Sequence, residues 1–190
     1  ALALNRGQLA QAEQLNQRAL TLNPKHPDAQ SIAALIELGR GQLEPAKQRA
    51  AQNILDNPFN ATAIIAHSYT QQAEGRLQAA LDSALEAQRL TPNDSQIIAR
   101  VAELYLSLGQ RKPAEEALDK ALTQAPNHSR LLTFKGFSLL AQRKAKAAQA
   151  YFVKASDLNS ADPYAQLGWG MALIQRGKLA GQAKKRQFDH

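Results

Sequence analysis

Leu22-Asn23-Pro24-Lys25-His26-Pro27 is the stretch whose recurrence decides the fold. It returns as Asp56-Asn57-Pro58-Phe59-Asn60, as Leu90-Thr91-Pro92-Asn93-Asp94 and as Gln124-Ala125-Pro126-Asn127-His128. Pro24, Pro58, Pro92 and Pro126 therefore stand 34 residues apart. One further step reaches Ser160, in Leu158-Asn159-Ser160-Ala161-Asp162-Pro163, where serine is expected to fill the same turn. Glycine keeps the beat at Gly7, Gly41, Gly75, Gly109 and Gly177, interrupted by Arg143. Alanine keeps it at Ala12, Ala46, Ala80, Ala114 and Ala148. Three residue types holding one period mean an array of repeats, each unable to bury its apolar face without its neighbours.

The beat partitions the chain into full repeats at 27–60, 61–94, 95–128 and 129–162. Residues 1–26 form a partial repeat, and 163–190 a partial repeat or capping helices. Between the glycine and proline marks lie two amphipathic windows per unit. Leu43, Ala46, Ala50 and Ile54 fall at helical spacing, as do Ile98, Val101, Ala102 and Tyr105. Proline ends the second helix of a unit, because it cannot continue one and restricts the residue before it. Asp94, Ser95, Asn127 and Ser129 are the expected caps of the helices that follow. Pro45 and Pro113 sit where a first turn tolerates the missing N–H. Period-two β-branched runs are absent from the sequence, so the expected class is all-α.

A 34-residue helix–turn–helix with glycine between the helices, alanine inside the second and proline at its end resembles the tetratricopeptide repeat. The resemblance covers essentially the whole chain. It implies a right-handed α–α superhelix of about five repeats, part of a longer bacterial protein. Ala34, Ser68, Ala102, Gly136 and Gly170 match the small slot where the first helix meets the second, and Leu118 and Phe152 match the bulky slot. His67, Lys135, Asn53 and Arg143 depart from the pattern. Gly177 should divide a first helix from a short second helix at 178–188. The helix at 8–22 should expose an apolar face suited to association with another copy.

Composition narrows the chemistry. There is no cysteine, hence no disulfide and no thiolate metal site. The longest apolar runs fall far short of the roughly 20 residues that span a bilayer. The compartment is left open between cytoplasm and periplasm, for a soluble chain whose targeting segment could lie outside this stretch. His26, His67, His128 and His190 show no metal-ligand spacing, and the glycines form no phosphate loop. Glu115 and Glu116 read as solvated charge. No enzyme activity, cofactor or metal is expected.

The net charge of +7 is concentrated at one end: residues 129–190 carry eleven basic side chains against three acidic. Lys144, Lys146, Lys154, Lys178, Lys184, Lys185 and Arg186 read as a solvated outer face. Nucleic acid would call for aromatics interleaved with that charge.

By the resemblance, one face of the first helices lines a concave groove. Candidate contact residues for a protein or peptide partner are Tyr69, Arg100, Leu106, Arg130, Phe134, Phe137, Tyr164 and Met171. Leu140, Leu167 and Ile174 belong to the same wall, whereas Phe152 and Trp169 are expected in the core. Such a wall suits an apolar peptide or an amphipathic helix, and Arg100 and Arg130 could pair with an acidic residue of it. Two other functions are weighed: homo-oligomerisation through the repeat ends, and an anionic or nucleic-acid-binding accessory role for residues 129–190.

Overall fold

The computed structural model describes the backbone of residues 9–188 and the side chains of residues 10–178. Ten helices are found there and no strand: α1 (Leu9–Leu22), α2 (Pro27–Gly39), α3 (Leu43–Asp56), α4 (Ala61–Ala73), α5 (Leu77–Leu90), α6 (Ser95–Ser107), α7 (Arg111–Gln124), α8 (Ser129–Ala141), α9 (Ala145–Leu158) and α10 (Pro163–Phe188). The chain divides into two compact units, residues 1–110 and 111–190. In the first, α2 packs on α3 and α4 on α5, with α3 also against α4 and α5 against α6. In the second, α8 packs on α9 and α9 on α10.

Each element begins and ends for a local reason. Pro24, Pro58, Pro92, Pro126 and, on the same beat, Ser160 all occupy turns between helices. Two residues after each beat sits the N-cap. Asn60 Oδ1 accepts from the Ala63 N–H at 2.8 Å, and Asp94 Oδ1 from the Gln96 N–H at 2.8 Å. Asp162 Oδ1 accepts from the Tyr164 N–H at 2.9 Å. His26 and His128 take the same role through Nδ1, which accepts from Ala29 and Leu131 at 3.4 and 3.3 Å. Of the expected caps, Asp94 acts as one. Asn127 and Ser129 do not: His128 holds that position, and the Ser129 hydroxyl donates to the Ala155 carbonyl at 3.0 Å. The helix pairs turn through a left-handed residue, supplied by Gly41, Gly75 and Gly109 and, where glycine is missing, by Arg143 at φ 62°.

Alanine makes close approach between the helices affordable. Ala34, Ala46, Ala80, Ala102, Ala114 and Ala148 are fully buried, so the array is held by many small side chains seated against larger ones. Asn53, in place of a small residue, is also buried. Its amide donates to the Pro27 carbonyl at 2.8 Å and to Ser31 Oγ at 2.9 Å, which offsets the cost of burying it. In the second unit Phe152 is the central bulky residue. It makes an edge-to-face contact with Phe137, the ring centroids 5.0 Å apart. Gly136 and Gly168 flank it, and an added Cβ would lie 2.6 Å from the ring at Gly136 and closer still at Gly168.

The last helix departs from the sequence reading. α10 runs without interruption from Pro163 to Phe188, through Gly177, so the division into a first helix and a second helix at 178–188 does not occur. Gly177 has no positive φ. A helical glycine costs only about 1 kcal/mol, and Lys-Leu-Ala and Gln-Ala-Lys-Lys-Arg around it are strong helix formers. The slot assigned to Gly170 is likewise empty, since a Cβ there would meet nothing within 4 Å and Gly168 makes the close contact instead. On α1, Leu15 and Leu22 are exposed while Ala12 and Asn16 are buried, so an apolar edge faces outward as expected. The glycine beat at Gly7 lies outside the described residues, as do His190 and the side chains of Lys184, Lys185 and Arg186.

Candidate functional site

In the first unit the candidate residues form a packed cluster. Arg100 is almost fully buried. Its Nε donates to Ser68 Oγ at 3.2 Å, Nη2 to the Ser68 carbonyl at 3.0 Å and Nη1 to Gln72 Oε1 at 2.5 Å. Glu103 Oε1 lies 3.2 Å from Nη1, and the guanidinium carbon sits 3.8 Å from the centroid of the Tyr69 ring. This arrangement corrects the expectation that Arg100 reaches for an acidic ligand. All its nitrogens are committed to joining α4 to α6, and a buried guanidinium is stable only when so satisfied. Tyr69 and Leu106 are half-buried.

The second unit is different. Arg130 and Phe134 are half-buried on α8, the guanidinium carbon 5.6 Å from the ring centroid. Phe137, three residues on, turns into the Phe152 cluster, and Leu140 is buried in the same cluster. Both therefore serve the core more than the wall. Trp169, expected in the core, is 37% exposed, because among its described side chains α10 buries only Ala165, Gly168 and Ala172. Its other sides stay open. Tyr164, Leu167, Met171 and Ile174 are 46–64% exposed and fall at i, i+3, i+7 and i+10, which places them in one apolar stripe. Tyr164 and Met171 were expected contact residues, and the extent of exposure along this helix is a property the sequence pattern did not carry.

Electrostatics set the two units apart. Burial, with the Arg76 charge adding to it, holds the imidazole of His67 below its ordinary value, and His67 Nδ1 is buried without a hydrogen-bond partner. Lys47 pairs with Glu74 at 2.8 Å and Glu44 at 3.1 Å; these hydrogen bonds, that to Glu74 the larger, raise its pKa. The hydrogen bond from Lys47 lowers that of Glu74. In the second unit Arg143, Lys144, Lys146, Lys154, Arg176 and Lys178 are exposed. Glu115 is not the solvated charge expected of it: it accepts from Ser138 Oγ at 3.2 Å and from the Gln142 amide, bracing α7 against α8. Lys135 donates to Asp119 at 2.5 Å between the same helices.

Among the described residues no group of three His, Cys, Asp or Glu could hold a metal ion. No helix there is long and apolar enough to cross a membrane.

Comparison with known proteins agrees with this architecture. The sequence profile of the tetratricopeptide repeat matches residues 71–136. No curated protein matches the chain in sequence. Among solved structures, a thermophilic tetratricopeptide-repeat protein of Thermus thermophilus superposes with a TM-score of 0.73 at 23% identity, over 88% of this chain and 92% of that one. The pilF protein of Pseudomonas aeruginosa gives 0.64 at 20% identity, over 98% and 87%. A chain of the Cut9–Hcn1 hetero-tetramer of the APC/C gives 0.78 at 16% identity, over 93% of this chain and 35% of its own length. At these identities the likeness is one of fold. Residues 71–136 match the tetratricopeptide repeat, whose proteins are generally non-catalytic interaction scaffolds, and the described helix pairs and turns have the fold of a tetratricopeptide-repeat solenoid.

Proposed function

We propose that this chain is a non-catalytic scaffold that seats an apolar peptide or amphipathic helix of another protein against its last first-type helix. The observation that carries the reading is the stripe Tyr164–Leu167–Met171–Ile174, four large apolar side chains on one side of α10 left to water. Contiguous exposure of this kind marks interaction surfaces. Covering about 200 Å² of it would contribute about 5 kcal/mol before the costs of association. Phe134 and Arg130 on α8 supply an aromatic face and a cation for the same partner, whereas Arg100 and Phe137 shape the scaffold from inside. Because α10 is already folded, the partner meets a preformed helix face and no ordering cost falls on the scaffold.

The experiment is selection of a displayed random-peptide library on the purified chain. Enriched peptides should carry large apolar residues at helical spacing, and Leu167→Ser with Met171→Ser should weaken them at least about tenfold while circular dichroism stays unchanged. Enriched peptides that bind the double variant equally well would remove the stripe from the account.

A further inference from the structure

The side of α8 that faces α9 is covered. Gly136 lies against the Phe152 ring, and Leu139 is 9% exposed. One period later the same side of α10 is bare: Gly170 faces open space and Leu173 is 48% exposed. Beside it an open cleft of about 1050 Å³ runs between the first half of α9 and the middle of α10, with Ala150 and Leu173 among its lining. Its rim is cationic. Arg143, Lys144, Lys146 and Arg176 all line it and all are exposed. None of the four meets a carboxylate among the described residues; Arg176 donates instead to Gln149 Oε1.

A helix lying here would stand to α10 as α9 stands to α8, with a bulky side chain above Gly170 as Phe152 lies above Gly136. Charge decides whose helix it is. Residues 178–190 carry Lys178, Lys184, Lys185 and Arg186 against Asp189 alone. Folding them into a cleft already rimmed by four cations would set like charge against like. We propose that the α9–α10 cleft is a docking site for an acidic amphipathic helix of a partner protein. Its apolar edge covers Gly170 and Leu173, and its carboxylates run along Arg143, Lys144, Lys146 and Arg176. Counting round the helix, Leu173 lies more than about 100° from Leu167 and Met171 while Gly170 borders the stripe, so the site is anchored on Leu173 and the four cations and stands whether or not the stripe binds a peptide.

The test uses the full chain and a helix-stapled, fluorescein-labelled peptide with the sequence of α9, carrying Lys146→Glu and Lys154→Glu, followed by anisotropy. The same peptide with both lysines retained is the charge control. The acidic peptide should bind at least about tenfold tighter than the control at low salt, and the difference should shrink as salt rises. The protein variant Lys146→Glu with Arg176→Glu should reverse the preference. Leu173→Glu should abolish binding of the acidic peptide; should that variant lose helicity, Gly170→Gln obstructs the same place from a half-buried position where a Cβ meets nothing. Leu167→Ser with Met171→Ser should leave binding intact, which separates this site from the stripe. Equal binding of the two peptides, or no binding, overturns the proposal. So does displacement of the acidic peptide by phosphatidylglycerol vesicles that still bind the Leu173→Glu variant, because the cations would then serve a membrane surface.

Discussion

Arg143 holds the left-handed turn that Gly41, Gly75 and Gly109 hold in the other helix pairs, at φ 62°. For a residue with a Cβ that conformation costs roughly 1–2 kcal/mol, so Arg143→Gly should raise stability by about 1 kcal/mol in urea denaturation. Arg100 works in the opposite sense. Truncation to Ala removes three hydrogen bonds and leaves Ser68 and Gln72 facing a cavity, so it should cost about 2–4 kcal/mol. The measurement is the urea midpoint of the α4–α6 region, read by hydrogen exchange, since repeat arrays need not unfold as one body. His67 adds a pH dependence. Its folded pKa lies below the ordinary 6.5, so between the two values the unfolded chain binds more protons than the folded one. Stability is therefore complete above about pH 6.5 and falls as pH drops below it. Arg76 and Glu74, the charges acting on the imidazole, oppose each other, and Arg76 reinforces the effect of burial. His67→Gln should flatten the profile in that window; an unchanged profile would mean that another group sets it.

Helices are where the sequence spoke most clearly and also where it misled. The prolines, glycines and alanines locate the helices and turns between Leu9 and Leu158, because each marks a local backbone requirement that neighbouring residues alone decide. Caps were half legible. Asn60, Asp94 and Asp162 are ordinary cap residues, but His26 and His128 hold the same beat with a side chain that rarely caps, so only the coordinates reveal them. Depth of burial was not legible: the partners of Arg100 lie 28 and 32 residues away, and no pattern within one helix announces them. The end of α10 failed for the same reason, since a glycine at the right beat does not stop a helix when good helix formers follow it and nothing requires a turn. Two glycines on α10 test this register. Gly168→Ala places a Cβ against the Phe152 ring and should destabilise by about 1–3 kcal/mol. Gly170→Ala places one in open space and should stabilise by about 0.5–1 kcal/mol. Thermal melts of both variants settle the register; the reverse order of stabilities would show that Gly170 occupies the packed slot.

Across the molecule, the fold assigns different tasks to the two units. In the first unit the buried polar side chains of Arg100, Asn53 and Ser68 find their hydrogen-bond partners within that unit, and its candidate contact residues are largely consumed in packing. Residues 111–190 concentrate both the exposed apolar stripe and the positive charge. A protein-interaction role rests on that second unit and on the apolar side of α10 being free. Sequence provides an isolated reporter for it, because Met171 is the single methionine of the chain and lies in the stripe. Its ¹³C-labelled ε-methyl gives one resonance, read against a peptide selected on the chain. The account predicts that this resonance shifts or broadens in step with peptide occupancy, and that Leu167→Ser suppresses the change. A Met171 methyl that stays unmoved at saturating peptide would contradict it.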